Sequence, residues 1–279
     1  VAWTEKIARA LAPVRLAGAA AGTPPLPVLV PAAPHLGLSE GERSLPWAAP
    51  SEVRLGVCAD GPFTIDLDRD GPHVVVAGAP GSGRTQLLRT LVCGMAATHR
   101  PDALGFVLID AVGGSDGGSF ADVAELPHCA AVLSPTDGAS LDRVLSSLIA
   151  GRSRASLGPA KVVVVIDGVE QLLGSLPSMA GPLNELVQSA SVHLVLGTQR
   201  PSTVMTARLR ETAGVRIALR LESSAESLEV LESPAAATIA RSTPGRAYAR
   251  VRQGRLVGFQ VALLDGATAA GGAEQHGVG

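Results

Sequence analysis

The chain has 279 residues, 46% of them hydrophobic and 17% charged, with a formal net charge of −2. That length suits one large domain or a domain with an arm, and the apolar share is ample for a buried core. The balance excludes the global basic excess that drives non-specific nucleic-acid binding, and 3% aromatics leaves few base-stacking platforms. Residues 3–16 are predicted as a short amphipathic helix, with Ile7, Leu11 and Val14 apolar and Lys6 and Arg9 outside. A Pro/Ala-rich connector runs on to Pro50, with room for a short strand over 28–30. Residues 16–39 are uncharged, but Pro24, Pro25, Pro27, Pro31 and Pro34 exclude a membrane helix there. The chain opens on Val1 rather than Met and reads as part of something longer, with no signal peptide in view. Cys58, Cys93 and Cys129 lie far apart without metal-ligand spacing and read as buried, reduced thiols of a cytosolic protein.

Residues 52–57 and 63–67 alternate as strands around Asp60-Gly61, a hairpin signal. From His73 onward strands and helices alternate, the pattern of a mostly parallel sheet with helices on both faces. Strands are predicted at His73–Ala77, Leu104–Asp110, 130–133, 162–166, 193–197 and Val215–Leu219. Helices are predicted over 84–97, 120–125 and 141–152. Ser223-x-x-Glu226 is a capping box opening a helix over 225–231. Arg246–Val251 and 255–261 close as a hairpin over Gln253-Gly254. Residues 266–279 are small and polar and are expected to be disordered. The division is thus an arm over 1–50, an α/β domain over 51–265 and a tail.

Two segments carry chemistry. Val74-Val75-Val76-Ala77 runs into Gly78-Ala79-Pro80-Gly81-Ser82-Gly83-Arg84-Thr85, which is G-x-x-x-x-G-K-[ST] with arginine at the lysine position. Gly78 to Gln86 are therefore candidates to cradle phosphates on backbone N–H groups at a helix start, and Thr85 to hold Mg²⁺. Arg84 keeps the charge but is longer and planar. Val162-Val163-Val164-Val165-Ile166-Asp167 is the second signal, a strand delivering Asp167 to Mg²⁺; a buried strand with a surface aspartate is the plainer alternative. An active ATPase usually has an acidic residue next, where this chain has Gly168. Glu170 is two residues further and is expected to face solvent from a short helix. Thr198-Gln199-Arg200-Pro201 ends a strand and suits a γ-phosphate sensor, against the alternative of a satisfied turn. Arg216 and Arg220 are weaker candidates for an arginine finger across a subunit boundary.

Together these pieces resemble the FtsK/SpoIIIE family, in its actinobacterial, EccC-like branch of type VII secretion and FHA-linked proteins. The resemblance spans residues 3–262. It rests on Ile7-Ala8-Arg9-Ala10-Leu11-Ala12-Pro13, Leu55-Gly56, Asp66-Leu67, Gly71-Pro72-His73, Leu126-Pro127-His128, Thr198-Gln199-Arg200-Pro201-Ser202, Arg216-Ile217-Ala218-Leu219-Arg220 and Pro244-Gly245-Arg246-Ala247. It implies a RecA-like P-loop ATPase core that works in hexamers or tandem arrays on double-stranded DNA or a secreted protein. It also implies ATP and Mg²⁺ as cofactors, Gln199 as the phosphate sensor, and a cytoplasmic protein associated with the membrane through other segments. Three family letters are changed: the lysine is Arg84, the second acidic residue is Gly168, and Asp110-Ala111-Val112-Gly113-Gly114 lacks its usual lysine. The expected function is a degenerate module that binds ATP with weak or absent hydrolysis, alongside neighbouring ATPase modules and a secreted substrate. The alternative is an active DNA translocase. Arg84→Lys with Gly168→Glu is expected to restore turnover if only those letters are lost.

Overall fold

Runs of β-branched residues build the middle of one sheet, because a strand covered on both faces is apolar throughout. The computed structural model describes residues 26–31, 52–113, 118–151, 161–189 and 192–264. The helix expected over 3–16, most of the connector and the tail over 266–279 lie outside them.

In chain order come β1 (Val30–Pro31), β2 (Val53–Cys58), β3 (Gly61–Ile65), α1 (Leu67–Asp70), β4 (His73–Ala77), α2 (Arg84–Thr98) and β5 (Leu104–Asp110). Next are β6 (Cys129–Leu133), α3 (Gly138–Ile149), β7 (Lys161–Asp167), α4 (Val169–Ser175), α5 (Ala180–Leu186) and β8 (Val192–Thr198). Last come α6 (Pro201–Val204), α7 (Ala207–Thr212), β9 (Val215–Leu219), α8 (Ser224–Leu231), β10 (Arg246–Val251) and β11 (Leu256–Leu263).

The strand order is β3-β2-β11-β10-β9-β4-β8-β7-β5-β6, with β1 alongside β11. The stretch from β9 to β6 is parallel throughout. From β9 outward through β10, β11, β2 and β3 the pairing is antiparallel. This is the α/β architecture read from the alternation, with the two hairpins joined as one edge of the sheet.

Successive side chains of the central strands enter two separate cores. Val74, Val76, Val163, Val165 and Val195 pack with Leu87, Leu88, Leu91 and Met95 of α2. Val75, Val164, Ile166, Leu194 and Leu196 pack with Leu141, Leu145, Leu172, Leu183 and Leu186 of α3, α4 and α5 on the other face. The period of two along each strand makes that division.

Differences from expectation are local. The strand placed over 28–30 is Val30–Pro31, pairing Val30 with Ala262, while Val28 and Leu29 are exposed. The helix expected over 120–125 is a single 3₁₀ turn, Ala121–Val123. Helix α3 starts three residues early because the Asp137 side chain accepts from Ser140 N–H. The capping box is complete, with Ser223 Oγ accepting from Glu226 N–H and Glu226 from Ser223 N–H. The cysteines are free but only part-buried, and burial pushes the Cys93 and Cys129 thiols up. Among the described residues no helix is long and apolar enough to cross a membrane.

Candidate functional site

The loop after β4 hangs from the ends of the neighbouring strands. Gly78 N–H donates to Thr198 O (3.0 Å) and Ala79 N–H to Arg220 O (2.9 Å). Gly81 and Gly83 have φ of 71° and 98°, left-handed values that glycine adopts freely. Helix α2 then opens without a side-chain cap. Among the described residues no acceptor takes the backbone N–H of Gly81, Gly83, Arg84 or Thr85. Ser82 Oγ and Arg84 Nη1 are also buried without a partner. Buried donors are costly to leave unmade, so this cluster on one loop at a helix start suits an anion.

Arg84 itself turns to the end of β7. Its Nε and Nη2 lie 2.8 and 2.7 Å from Asp167 Oδ1, and Thr85 Oγ1 donates to Asp167 Oδ2 at 2.6 Å. Arg84 is 6% exposed and Asp167 0%. Gly197 on β8 makes the room: an added Cβ there would lie 3.2 Å from Asp167 Oδ1 and 2.9 Å from Leu88 Cδ1. The hydroxyl of Thr85 and the carboxylate of Asp167 are hard oxygen donors of the kind Mg²⁺ takes. The expectation that they hold it meets an obstacle in Arg84, whose cationic fork covers one carboxylate oxygen. With Arg84 so seated, the pair does not fit a divalent ion.

Glu170 corrects the reading of a solvent-facing side chain. Its Oε2 accepts from Thr198 Oγ1 (2.9 Å) and its Oε1 from Gln199 N–H (2.7 Å), which ties α4 to the end of β8. Gly168, where the acidic residue is missing, has φ 88°, and an added Cβ would lie 2.9 Å from Val112 Cγ2. A glutamate there is strained by about 1–2 kcal/mol, so the expected rescue by Gly168→Glu carries a conformational cost. Asp110, next to Asp167 across the β5–β7 ladder, accepts through Oδ1 from the N–H of Val112 and Gly113 and through Oδ2 from Ser119 N–H. Gln199 stands part-buried at the end of β8 and Arg200 is exposed beside it.

The two finger candidates separate. Arg220 reaches the loop of its own chain, its Nη2 donating to Pro80 O (2.9 Å) and its Nη1 to Glu222 (2.8 Å). That hydrogen bond holds the Glu222 carboxyl below its usual range. Arg216 lies toward the start of β9, paired with Glu232 at 2.7 Å beside Arg250 and Arg252. It does not join the loop. Gln86 also points elsewhere, its amide donating to Leu264 O (3.0 Å). A residue without an assigned role in the sequence enters instead: Gly245 N–H donates to Ser82 O (2.8 Å) and braces the loop from behind. The Pro-Gly pair before β10 was its only signal.

Residues 46–255 match the model of the FtsK/SpoIIIE family. The ESX secretion system protein EccC of Thermomonospora curvata is 31% identical over 77% of this chain, which spans 19% of that protein. The solved cytoplasmic domain of the type VII secretion ATPase EccC from the same organism superposes with a TM-score of 0.74 at 28% identity, covering 86% of this chain and 33% of that one. A structure of T. curvata EccC ATPases 2 and 3 in complex with a signal sequence peptide shares the fold, with a TM-score of 0.64 at 21% identity over 86% of this chain and 44% of that one. Since the family match runs from before β2 to the turn that leads into β11, this chain belongs to the FtsK/SpoIIIE family.

Proposed function

We propose that this chain is a nucleotide-binding module of an EccC-type secretion motor, one that holds ATP and turns it over at or near background. The observation that carries the reading is at the carboxyl edge of the sheet. Asp110, Asp167 and Glu170 each have both oxygens already accepting hydrogen bonds from the protein's own groups. A general base needs a carboxylate turned toward the attacking water, and in this arrangement all three are turned to the protein's own donors. The free N–H groups of the loop support phosphate binding, with residues 51–265 as the ATPase domain and Gln199 as its γ-phosphate sensor.

The secretion ATPases to which the chain is similar support neighbouring ATPase modules or ring subunits as partners. The signal sequence peptide bound by one structural neighbour supports a secreted protein as the cargo. On this reading the chain works in the cytoplasm and meets the membrane through other segments of a longer protein. The test is ATP binding and hydrolysis with and without double-stranded DNA. Saturable binding with background turnover is expected. DNA-stimulated turnover that Asp167→Ala abolishes would overturn the reading in favour of an active DNA translocase.

A further inference from the structure

We infer that Arg84 is the resident cation of this site: its guanidinium stands beside Asp167 where a divalent metal would otherwise stand, and the loop binds the phosphates of a nucleoside triphosphate without Mg²⁺. This rests on the nucleotide-binding reading and goes further, to the cation requirement.

Charge decides the first step. Asp167 contributes one negative charge in a fully buried position, and the Arg84 guanidinium, with two nitrogens within 2.8 Å of Oδ1, neutralises it. A second cation of charge +2 arriving there would meet a fixed +1 within a few ångströms, in surroundings that screen poorly. Geometry decides the second. Mg²⁺ demands near-ideal octahedral oxygens, whereas the guanidinium fork covers Asp167 Oδ1, so the side of the carboxylate a metal would approach is already taken. Lysine would leave this contact easily because its ammonium swings on a flexible stem; the planar fork is set by paired bonds.

The third step is the donor set left over. Among the described residues Arg84 Nη1 has no partner although the side chain is 6% exposed, and Ser82 Oγ has none although Ser82 is 3% exposed. Both belong to the loop whose N–H groups at Gly81, Gly83, Arg84 and Thr85 are unmatched. A phosphate oxygen accepting from these groups would satisfy the two buried donors, Ser82 Oγ and Arg84 Nη1, together with the open N–H groups of the loop. One guanidinium then serves both anions, Asp167 through Nε and Nη2 and phosphate through Nη1, as its five donors in a plane allow.

The experiment is the affinity of the whole chain for ATP, measured by calorimetry in EDTA and in excess Mg²⁺, for the wild type and Arg84→Lys. The wild-type dissociation constant is expected to change by less than about threefold between the two buffers, and that of Arg84→Lys to weaken by about tenfold or more in EDTA. Wild-type binding that appears only with Mg²⁺ overturns the inference and leaves the nucleotide-binding reading standing. Equal affinity of Arg84→Lys in both buffers also overturns it. Absence of ATP binding in either buffer overturns both readings. Should Arg84→Lys fail to fold by thermal melting, Asp167→Asn is the second variant. It leaves the guanidinium charge uncompensated and is expected to bind ATP more tightly in EDTA than the wild type; weaker binding there overturns the inference.

Discussion

A lysine at position 84 would carry its charge on a freely turning stem, whereas Arg84 is held by its paired contacts with Asp167. Removing one member of a buried ion pair leaves the other charge uncompensated, which costs far more than the pair contributes over an apolar substitute. Asp167→Ala is therefore expected to lower the unfolding free energy by about 3–5 kcal/mol in urea titration. Arg84→Ala with Asp167→Ala should lose less than the sum of the single changes, with a coupling on the order of 1–3 kcal/mol. Strict additivity would show that the two groups do not share the contact. The altered letter was legible in the sequence because the loop has a fixed spacing. The direction of its fork was not, since the partner lies 83 residues away and only the β4–β8–β7 pairing brings the two together. Glu170 was misread for the same reason: its acceptor role depends on the end of β8, 28 residues further on.

Residues at and just beyond strand ends, more than the loop's own residues, hold the glycine-rich loop in shape. β8 supplies Thr198 O, the residue after β9 supplies Arg220 O, and the turn before β10 supplies Gly245 N–H. Gly245 has φ 77°, and an added Cβ would lie 2.8 Å from Gln260 Nε2, whose amide also holds Pro244 O. Gly245→Ala is accordingly expected to cost about 1–2 kcal/mol in urea titration and to weaken ATP binding measurably, because relief of the strain shifts the N–H that braces the Ser82 carbonyl. Unchanged affinity would remove Gly245 from the site. The central strands and α2 were readable as elements because a β-branched run followed by a glycine loop admits few other structures. α5, α6 and α7 were not, being only four to seven residues long, with Gly181 and Pro182 inside α5 and Pro201 opening α6. Such short helices owe their form to packing on the sheet more than to their own propensity.

Across the molecule, acid sensitivity is set at the end of the sheet opposite the loop. Leu194 N–H donates to His73 Nδ1 (3.1 Å), so Nε2 carries the proton and donates to Val187 O (3.0 Å). His193 stands next to it with Nδ1 on Pro72 O (3.0 Å), near Asp68 and Lys161. Burial lowers the pKa of both rings. The folded state therefore resists taking protons that the unfolded chain accepts below its ordinary histidine pKa. Their contribution to stability is complete above about pH 6.5 and declines as pH falls toward the depressed folded values, by up to about 1.4 kcal/mol per pH unit for each histidine. Urea midpoints that fall between pH 7 and pH 5 are expected; a flat profile would mean that neither ring is buried neutral. What the sequence determined by itself was the local part of this protein: the apolar strands, the glycine loop and the letters that depart from the family pattern, each legible from neighbours in the chain. What only the tertiary structure decided was how the freed charges are matched. Arg84 on Asp167, Glu170 on Thr198 and Gly245 on Ser82 join loop, helix and strand-end residues far apart in sequence, and no periodicity or spacing encodes them.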